Sequence, residues 1–296
     1  MHFAWNPDAC PADKVWDYTE NWAENIFGKE HAEEIADIVS KYSKYNLLRK
    51  AEVQTPRIFS IVNHNEADQM LELWHEVVAK AEALEPKIAP EAKDAYYQLV
   101  LYPTKASAGV AEMYISVGKN QLYASQGRVS ANDYAQRAND LFDLDKKLSD
   151  HYNGAMSNGK WKNMMSDIHI GYTSWQMPRE NKLPEMKVVT PLAEPTMGVA
   201  IEGSETAWPG AQENPQLPVF DILKKKSYYI DIFNRGSGSF AFEAKATQPW
   251  IKLSMNKGNV EKDVRLMVGV DWKKLPEGKS NGTVEIKKGN EVVSVS

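Results

Sequence analysis

Apolar residues in the first half of the chain recur three and four positions apart, the spacing that gathers them on one face of a helix. Val15, Tyr18, Trp22 and Ile26 make the first stripe, with Pro11 ahead of it, Asp13 in the first turn and Gly28 as the stop. Ile35, Ile38, Tyr42 and Tyr45 make the second, on a stretch from Glu30 to Tyr45 that runs acidic first and basic later, as the helix dipole favours. Thr55-Pro56 marks a connector, and Met70, Trp74, Val77, Val78 and Ala81 form the buried stripe of a helix from Asn65 to Leu84. A long helical stretch opens at Pro90 and ends at Gly127. Pro103 inside it must kink or break the helix, because proline lacks a backbone donor and clashes with the preceding turn. Ser130 and Asp133 resemble a capping box, and Tyr134, Leu141, Leu144, Leu148 and Tyr152 follow on one face. Antiparallel helices of this number and length predict a bundle.

The period disappears between Gly159 and Pro178, GKWKNMMSDIHIGYTSWQMP. The segment holds Trp161, Met164, Met165, Tyr172 and Trp175, so it is expected to be irregular yet packed. Gln176 to Pro195 carries four prolines and no helical period. From Met197 the period becomes two: Tyr228, Ile230 and Ile232 alternate with Tyr229, Asp231 and Phe233, and Leu266, Val268, Val270 and Trp272 with Arg265, Met267 and Asp271. Phe240, Phe242 and Ala244 oppose Glu243 and Lys245, and glycine-bearing turns at Gly236, Gly258, Gly278 and Gly289 punctuate the runs. These patterns predict an α+β multidomain chain. An antiparallel α-helical bundle covers residues 1–175, a linker 176–195, and an all-β immunoglobulin-like sandwich 196–296. The last strand, Val292 to Ser296, stops with no turn, the pattern expected of a piece of a longer protein.

A composition of 43% hydrophobic and 25% charged residues is that of an ordinary globular protein. A net charge of -5, with no Lys/Arg-dense stripe, gives no reason to expect a nucleic-acid partner. The single cysteine, Cys10, excludes an intrachain disulfide and a multi-cysteine metal site. No apolar run approaches the roughly 20 residues of a membrane span, and no membrane partner is expected. The opening residues lack the basic and apolar regions of a signal peptide, and the compartment of this chain stays open.

Candidate chemistry is sparse. Glycoside hydrolysis needs two carboxyls flanking a sugar in a cleft. Glu33-Glu34, Asp140-Asp143 and Asp143-Asp145 sit on helix faces among lysines and read as solvated surface. His64, His75, His151 and His169 lack metal-ligand spacing beyond a generic glutamate nearby. His169 differs in lying beside Gly171, Tyr172 and Trp175, where it either packs or lines a polar pocket. Trp250 reads as packing between sheets, whereas Trp208, in a Pro/Gly loop, is either a sugar platform or core. Asn281-Gly282-Thr283 is a sequon of the kind that arises by chance. No nucleophile elbow, P-loop or dinucleotide fingerprint occurs, and neither metal nor cofactor is expected.

Several strings, in order, resemble glycoside hydrolase family 115: AWNPD, EHAEEIADIVSKYSKYN, YYQLVLYPTKASA, NQLYASQGR, GKWKNMMSDIHIGYTSWQMP, MGVAIEGS with AWPG, and YIDIFNRGSGSFAFEA with PWIKLS. That family removes glucuronic acid or its 4-O-methyl ether from xylan. The resemblance implies a secreted or periplasmic bacterial parent whose (β/α)₈ barrel, centre of the catalytic pocket, precedes the matched region. It therefore implies no catalytic residue in this chain. The implied partner is the parent's barrel, and a second copy as homodimer and a xylan oligosaccharide are further partner candidates; His169, Tyr172, Trp175 and Trp208, read from their own chemistry, are the substrate-binding candidates.

Overall fold

A computed structural model describes residues 5, 6, 8, 11–50 and 53–296. Cys10 and parts of the AWNPD string lie outside the described residues. The backbone gathers into two units. One holds residues 1–58, 68–114 and 138–184, and the other 59–67, 115–137 and 185–296.

The first unit is helical. After a 3₁₀ turn over Ala12–Asp17 come α1 (Tyr18–Phe27), α2 (Ala32–Leu48), most of α3 (Glu66–Leu84) and a short α4 (Lys93–Tyr96). The opening half of α5 (Tyr102–Ser125) and the closing part of α6 (Ala131–Asp150) belong to it as well. Ile35, Ile38, Trp74, Val77, Ala81 and Leu84 are buried, as their spacing predicts. The first stripe differs: Val15, Tyr18 and Ile26 are exposed, and α1 turns Ala23 inward with Phe27 edge-on to Tyr96 at 5.9 Å. At Pro103 the expected break is a wide π-helical turn over Tyr97–Leu101. A residue without an N–H cannot close the regular ladder there, and the Thr104 hydroxyl donates to the Val100 carbonyl at 2.7 Å.

The second unit is built on a two-sheet antiparallel sandwich. Its strands are β1 (Met197–Ile201), β2 (Ala207–Trp208), β3 (Tyr228–Asn234), β4 (Phe240–Ala246), β5 (Ile251–Leu253), β6 (Lys257–Val260), β7 (Asp263–Val270), β8 (Val284–Lys288) and β9 (Glu291–Val295). The sheets run β2-β1-β3-β7-β5 and β6-β4-β8-β9. Val199, Ile230, Ile232, Leu266 and Val268 meet Phe242, Val260, Ile286 and Val295 between them.

All seven residues of β3 are buried, although its pattern alternates. Tyr228, Ile230 and Ile232 face the sandwich core, and the other set lies under residues 59–67 and 115–137 of the same unit. There the Arg128 guanidinium stacks 4.1 Å from the Tyr123 ring centre and 4.3 Å from that of Phe233. The Tyr229 hydroxyl donates to the carbonyls of Ile61 and Val62. Gly198 on β1 is required by this packing, since a Cβ there would come within 2.2 Å of the Phe233 ring. Residues 185–195 are strapped down by two asparagines. Asn120 pairs with both backbone groups of Lys187 at 2.8 Å, and Asn132 with those of Val189 at 2.8 and 2.9 Å.

Candidate functional site

In the helical unit the irregular segment predicted around His169 is held by side chains that cap its backbone. Asn153 accepts from the Met165 N–H at 2.8 Å and donates to the Met165 carbonyl at 3.0 Å. The Asn181 side-chain oxygen accepts from the N–H groups of both His169 and Ile170, each at 2.9 Å. The Tyr114 hydroxyl accepts from the Gly171 N–H at 3.0 Å, and Ile170 beside it is fully buried. Gly171 has φ 94°, and a Cβ there would lie 2.7 Å from the Lys182 carbonyl oxygen, so two independent constraints require glycine.

His169 closes the clamp. Its Nε2 lies 2.9 and 3.0 Å from the two Asp145 carboxylate oxygens, and its Nδ1 lies 2.9 Å from the Asp167 carbonyl oxygen. Both ring nitrogens face acceptors, and only the imidazolium donates from both. The hydrogen bond to Asp145 pushes the His169 pKa up, against the effect of burial. Such a ring keeps no nitrogen to take a proton from a substrate, so its geometry is that of a fastener.

Asp145 corrects the reading of its carboxylate pair as solvated surface, because it is buried, with a side chain only 6% exposed. The signal lay in the stripe: Asp145 follows Leu141 by four residues and precedes Leu148 by three, on the buried seam of α6. Tyr172 is half-buried, with its hydroxyl 3.5 Å from the Ile168 carbonyl, while Trp175 is 84% exposed and flanked by exposed Ser174 and Gln176. The candidates His169, Tyr172 and Trp175 thus share one segment, which shows an aromatic face to solvent at Trp175.

Trp208 lies in the other unit. It is buried, and its indole N–H donates to the Glu213 carbonyl, so the ring is enclosed and does not stand as an open platform. Its loop borders a groove of about 520 Å³ lined by Trp208, Pro209, Asn214, Thr283, Ser294 and Ser296, among other residues. Among the described residues that line it none is Asp or Glu, so they do not form the carboxyl pair of a glycosidase cleft.

Beside β3, a cavity of only about 10 Å³ includes Arg128, Tyr229 and Asp231 in its lining. Asp231 is buried between two guanidiniums: Arg128 at 3.2 Å, and Arg265 at 2.8 Å through Nε. Burial pushes its carboxyl up, but the two arginines outweigh this and hold it below the usual carboxylate range. Asp263, 3.2 Å from Arg128, is pushed up by burial. The cavity is about one water in size, and its charged groups are already neutralised by one another. Among the described residues no group of three His, Cys, Asp or Glu is placed to hold a metal.

Fold and site together define an α+β multidomain protein, one unit helical and the other based on a β-sandwich. Residues 1–53 match the model of Glycosyl hydrolase family 115, so the resemblance read from the opening strings holds and the chain carries a glycoside-hydrolase-related region. A solved family GH115 4-O-methyl-alpha-glucuronidase, described as specific for decorated arabinogalactans, is similar at 15% identity and a TM-score of 0.48, over 99% of this chain and 42% of its own. A FixG-related protein from Vibrio parahaemolyticus is similar at 11% identity and a TM-score of 0.22, over 35% of this chain and 93% of its own. No curated protein matches. The chain spans less than half the length of the glucuronidase it matches.

Proposed function

We propose that this chain is the C-terminal accessory region of a glycoside hydrolase that removes glucuronic acid, or its 4-O-methyl ether, from xylan. The catalytic carboxylates lie outside it. The chain buttresses the parent's barrel, shapes one edge of the cleft and contributes to pairing of two copies. The observation that carries this reading is the family match over residues 1–53. The bonding of His169 supports it, because a ring with both nitrogens hydrogen-bonded within its own unit serves to hold a loop in place. In this reading the segment bearing His169, Tyr172 and Trp175 forms the cleft edge, and Trp175 offers its face to a pyranose.

The test uses the purified chain with glucuronate-decorated xylo-oligosaccharides. The expected result is a folded protein that releases no uronic acid. Turnover that persists through further purification overturns the reading.

A second reading, a carbohydrate-binding module, is favoured by the groove beside Trp208, whose side-chain hydroxyls and amide suit a neutral sugar. Calorimetry with undecorated xylo-oligosaccharides separates the two. Heat lost in Asn214→Ala but kept in Trp175→Ala supports the groove, and a flat titration removes it.

A further inference from the structure

A loop between β2 and β3 is built as an exposed apolar tip beside a patch of positive charge. Its sequence is Val219-Phe220-Asp221-Ile222-Leu223-Lys224-Lys225-Lys226. Val219 is 84% exposed, Ile222 56% and Leu223 90%. The three lysines that follow are exposed as well. Burying aliphatic side chains is the main stabilising term in folding, so three of them held outward in one turn need an explanation.

The loop is not loose chain. Phe220 packs against the sandwich core and meets Tyr228 edge-on at 4.9 Å. The Tyr228 hydroxyl donates to the Val219 carbonyl at 3.3 Å, which ties the two ends together. Between them Asp221 organises the turn: its carboxylate accepts from the Leu223 N–H at 2.7 Å and its carbonyl from the Lys225 N–H at 2.8 Å. The anchors face inward, and Ile222 and Leu223 are fixed in the position that meets water.

The charge beside this tip is opposite in sign to that of the chain as a whole, which is -5. Asp221 is the loop's one acidic residue and turns its carboxylate to the backbone, and Lys224, Lys225 and Lys226 outnumber it, so the loop is net cationic. Aliphatic side chains bordered by lysines match the two layers of an acidic bilayer surface, where acyl chains lie beneath anionic headgroups. A polysaccharide fits less well, since the exposed members of this loop are aliphatic and sugars stack on aromatic faces. No described helix is long and apolar enough to cross a membrane, and the expectation of no membrane partner rested on the lack of such a span. Attachment at the surface needs none.

We infer that the loop Val219 to Lys226 docks on an anionic lipid surface, with Ile222 and Leu223 entering the headgroup boundary and Lys224, Lys225 and Lys226 pairing with lipid phosphates.

Flotation of the whole chain with phosphatidylcholine vesicles, with and without phosphatidylglycerol, tests this. Binding is expected only to the acidic vesicles and to weaken steeply with salt. A tenfold or greater loss is expected in Ile222→Ser/Leu223→Ser, and separately in Lys224→Glu/Lys226→Glu. These positions are exposed, and unchanged circular dichroism of each variant establishes that the fold is kept. Absence of flotation with acidic vesicles overturns the inference. So does binding that survives Ile222→Ser/Leu223→Ser and is competed away by polyglutamate, since the loop would then be a general polyanion site.

Discussion

Each unit of the molecule holds a buried aspartate, Asp145 in the helical unit and Asp231 in the sandwich unit, and the two are satisfied in different ways. In the sandwich unit Asp231 lies between Arg128 and Arg265, whose guanidiniums stay charged at any pH at which a protein folds. In the helical unit Asp145 faces His169, a side chain that sheds its charge as pH rises through its raised folded pKa. One network is therefore a permanent part of the β3 environment. The other is a conditional fastener on an irregular segment. The difference teaches where each unit gives way: the sandwich unit under acid, the His169 segment as the solution turns basic.

The largest effect is expected from breaking the permanent network. Asp231→Ala leaves Arg128 and Arg265 facing a cavity without their shared partner, and removing one member of a buried ion pair costs about 3–5 kcal/mol. Denaturant unfolding followed by circular dichroism measures it. Loss of protection at the β3 amides, with the α2 amides unchanged, would locate it in the sandwich unit. The Asp231 pKa is lowered in the fold. Its contribution is thus full above the ordinary carboxylate range of about 3.9 and is lost as pH falls through the lowered folded value. A variant that unfolds at the same denaturant concentration as the parent would show the network to be a bystander.

A smaller effect is expected at Gly171. Alanine there meets the Lys182 carbonyl and adopts a φ of 94°, which L residues rarely take. Gly171→Ala should cost about 1–3 kcal/mol, expressed locally as faster hydrogen exchange across residues 165–182. Exchange that matches the parent would mean that the segment shifts freely, contrary to the clamp described.

How far the sequence anticipates these features follows from what each pattern encodes. Helical spacing located Ile35, Ile38, Trp74 and Val77 in a core, because burial at one helix face is a local property of the chain. Alternation located Ile230, Ile232, Leu266 and Val268 between two sheets for the same reason. The opposite face of β3 was not legible, since what covers Asp231 comes from residues around 61 and 128, far away in sequence. Proline placed a break at Pro103, yet only the packed structure turns that break into a π turn. The aromatic density and lack of period between Gly159 and Pro178 marked an irregular segment, and the structure holds it with side-chain caps from Asn153, Asn181 and Tyr114. The Asp145 partner of His169 was hidden as one more acidic residue on a helix rich in them, and only its place on the Leu141–Leu148 seam gave it away. Trp208 shows the opposite limit: a tryptophan in a Pro/Gly loop reads the same whether its ring faces solvent or lies enclosed, as here.

The smallest effect, and the sharpest test of the comparison, is the pH response of the His169 fastener. The folded pKa of His169 is raised by the hydrogen bond to Asp145. A raised cationic group contributes fully below its unfolded value, near 6.5, and the contribution fades as pH rises through the folded value. Hydrogen bonds to charged groups are worth about 1.5–3 kcal/mol when intact, and this ring is partly exposed, so the change belongs at the lower end of that range or beneath it. Amide exchange, corrected for its intrinsic pH dependence, should therefore accelerate across residues 165–182 between neutral and basic pH, while the β3 amides hold. Asp145→Asn keeps the shape and removes the charge, so it should flatten that response and leave the segment loosened at both ends. If the parent and Asp145→Asn exchange alike at every pH, the clamp rests on Asn153 and Asn181 alone. The two units would then differ in geometry, with no difference in how they respond to protons.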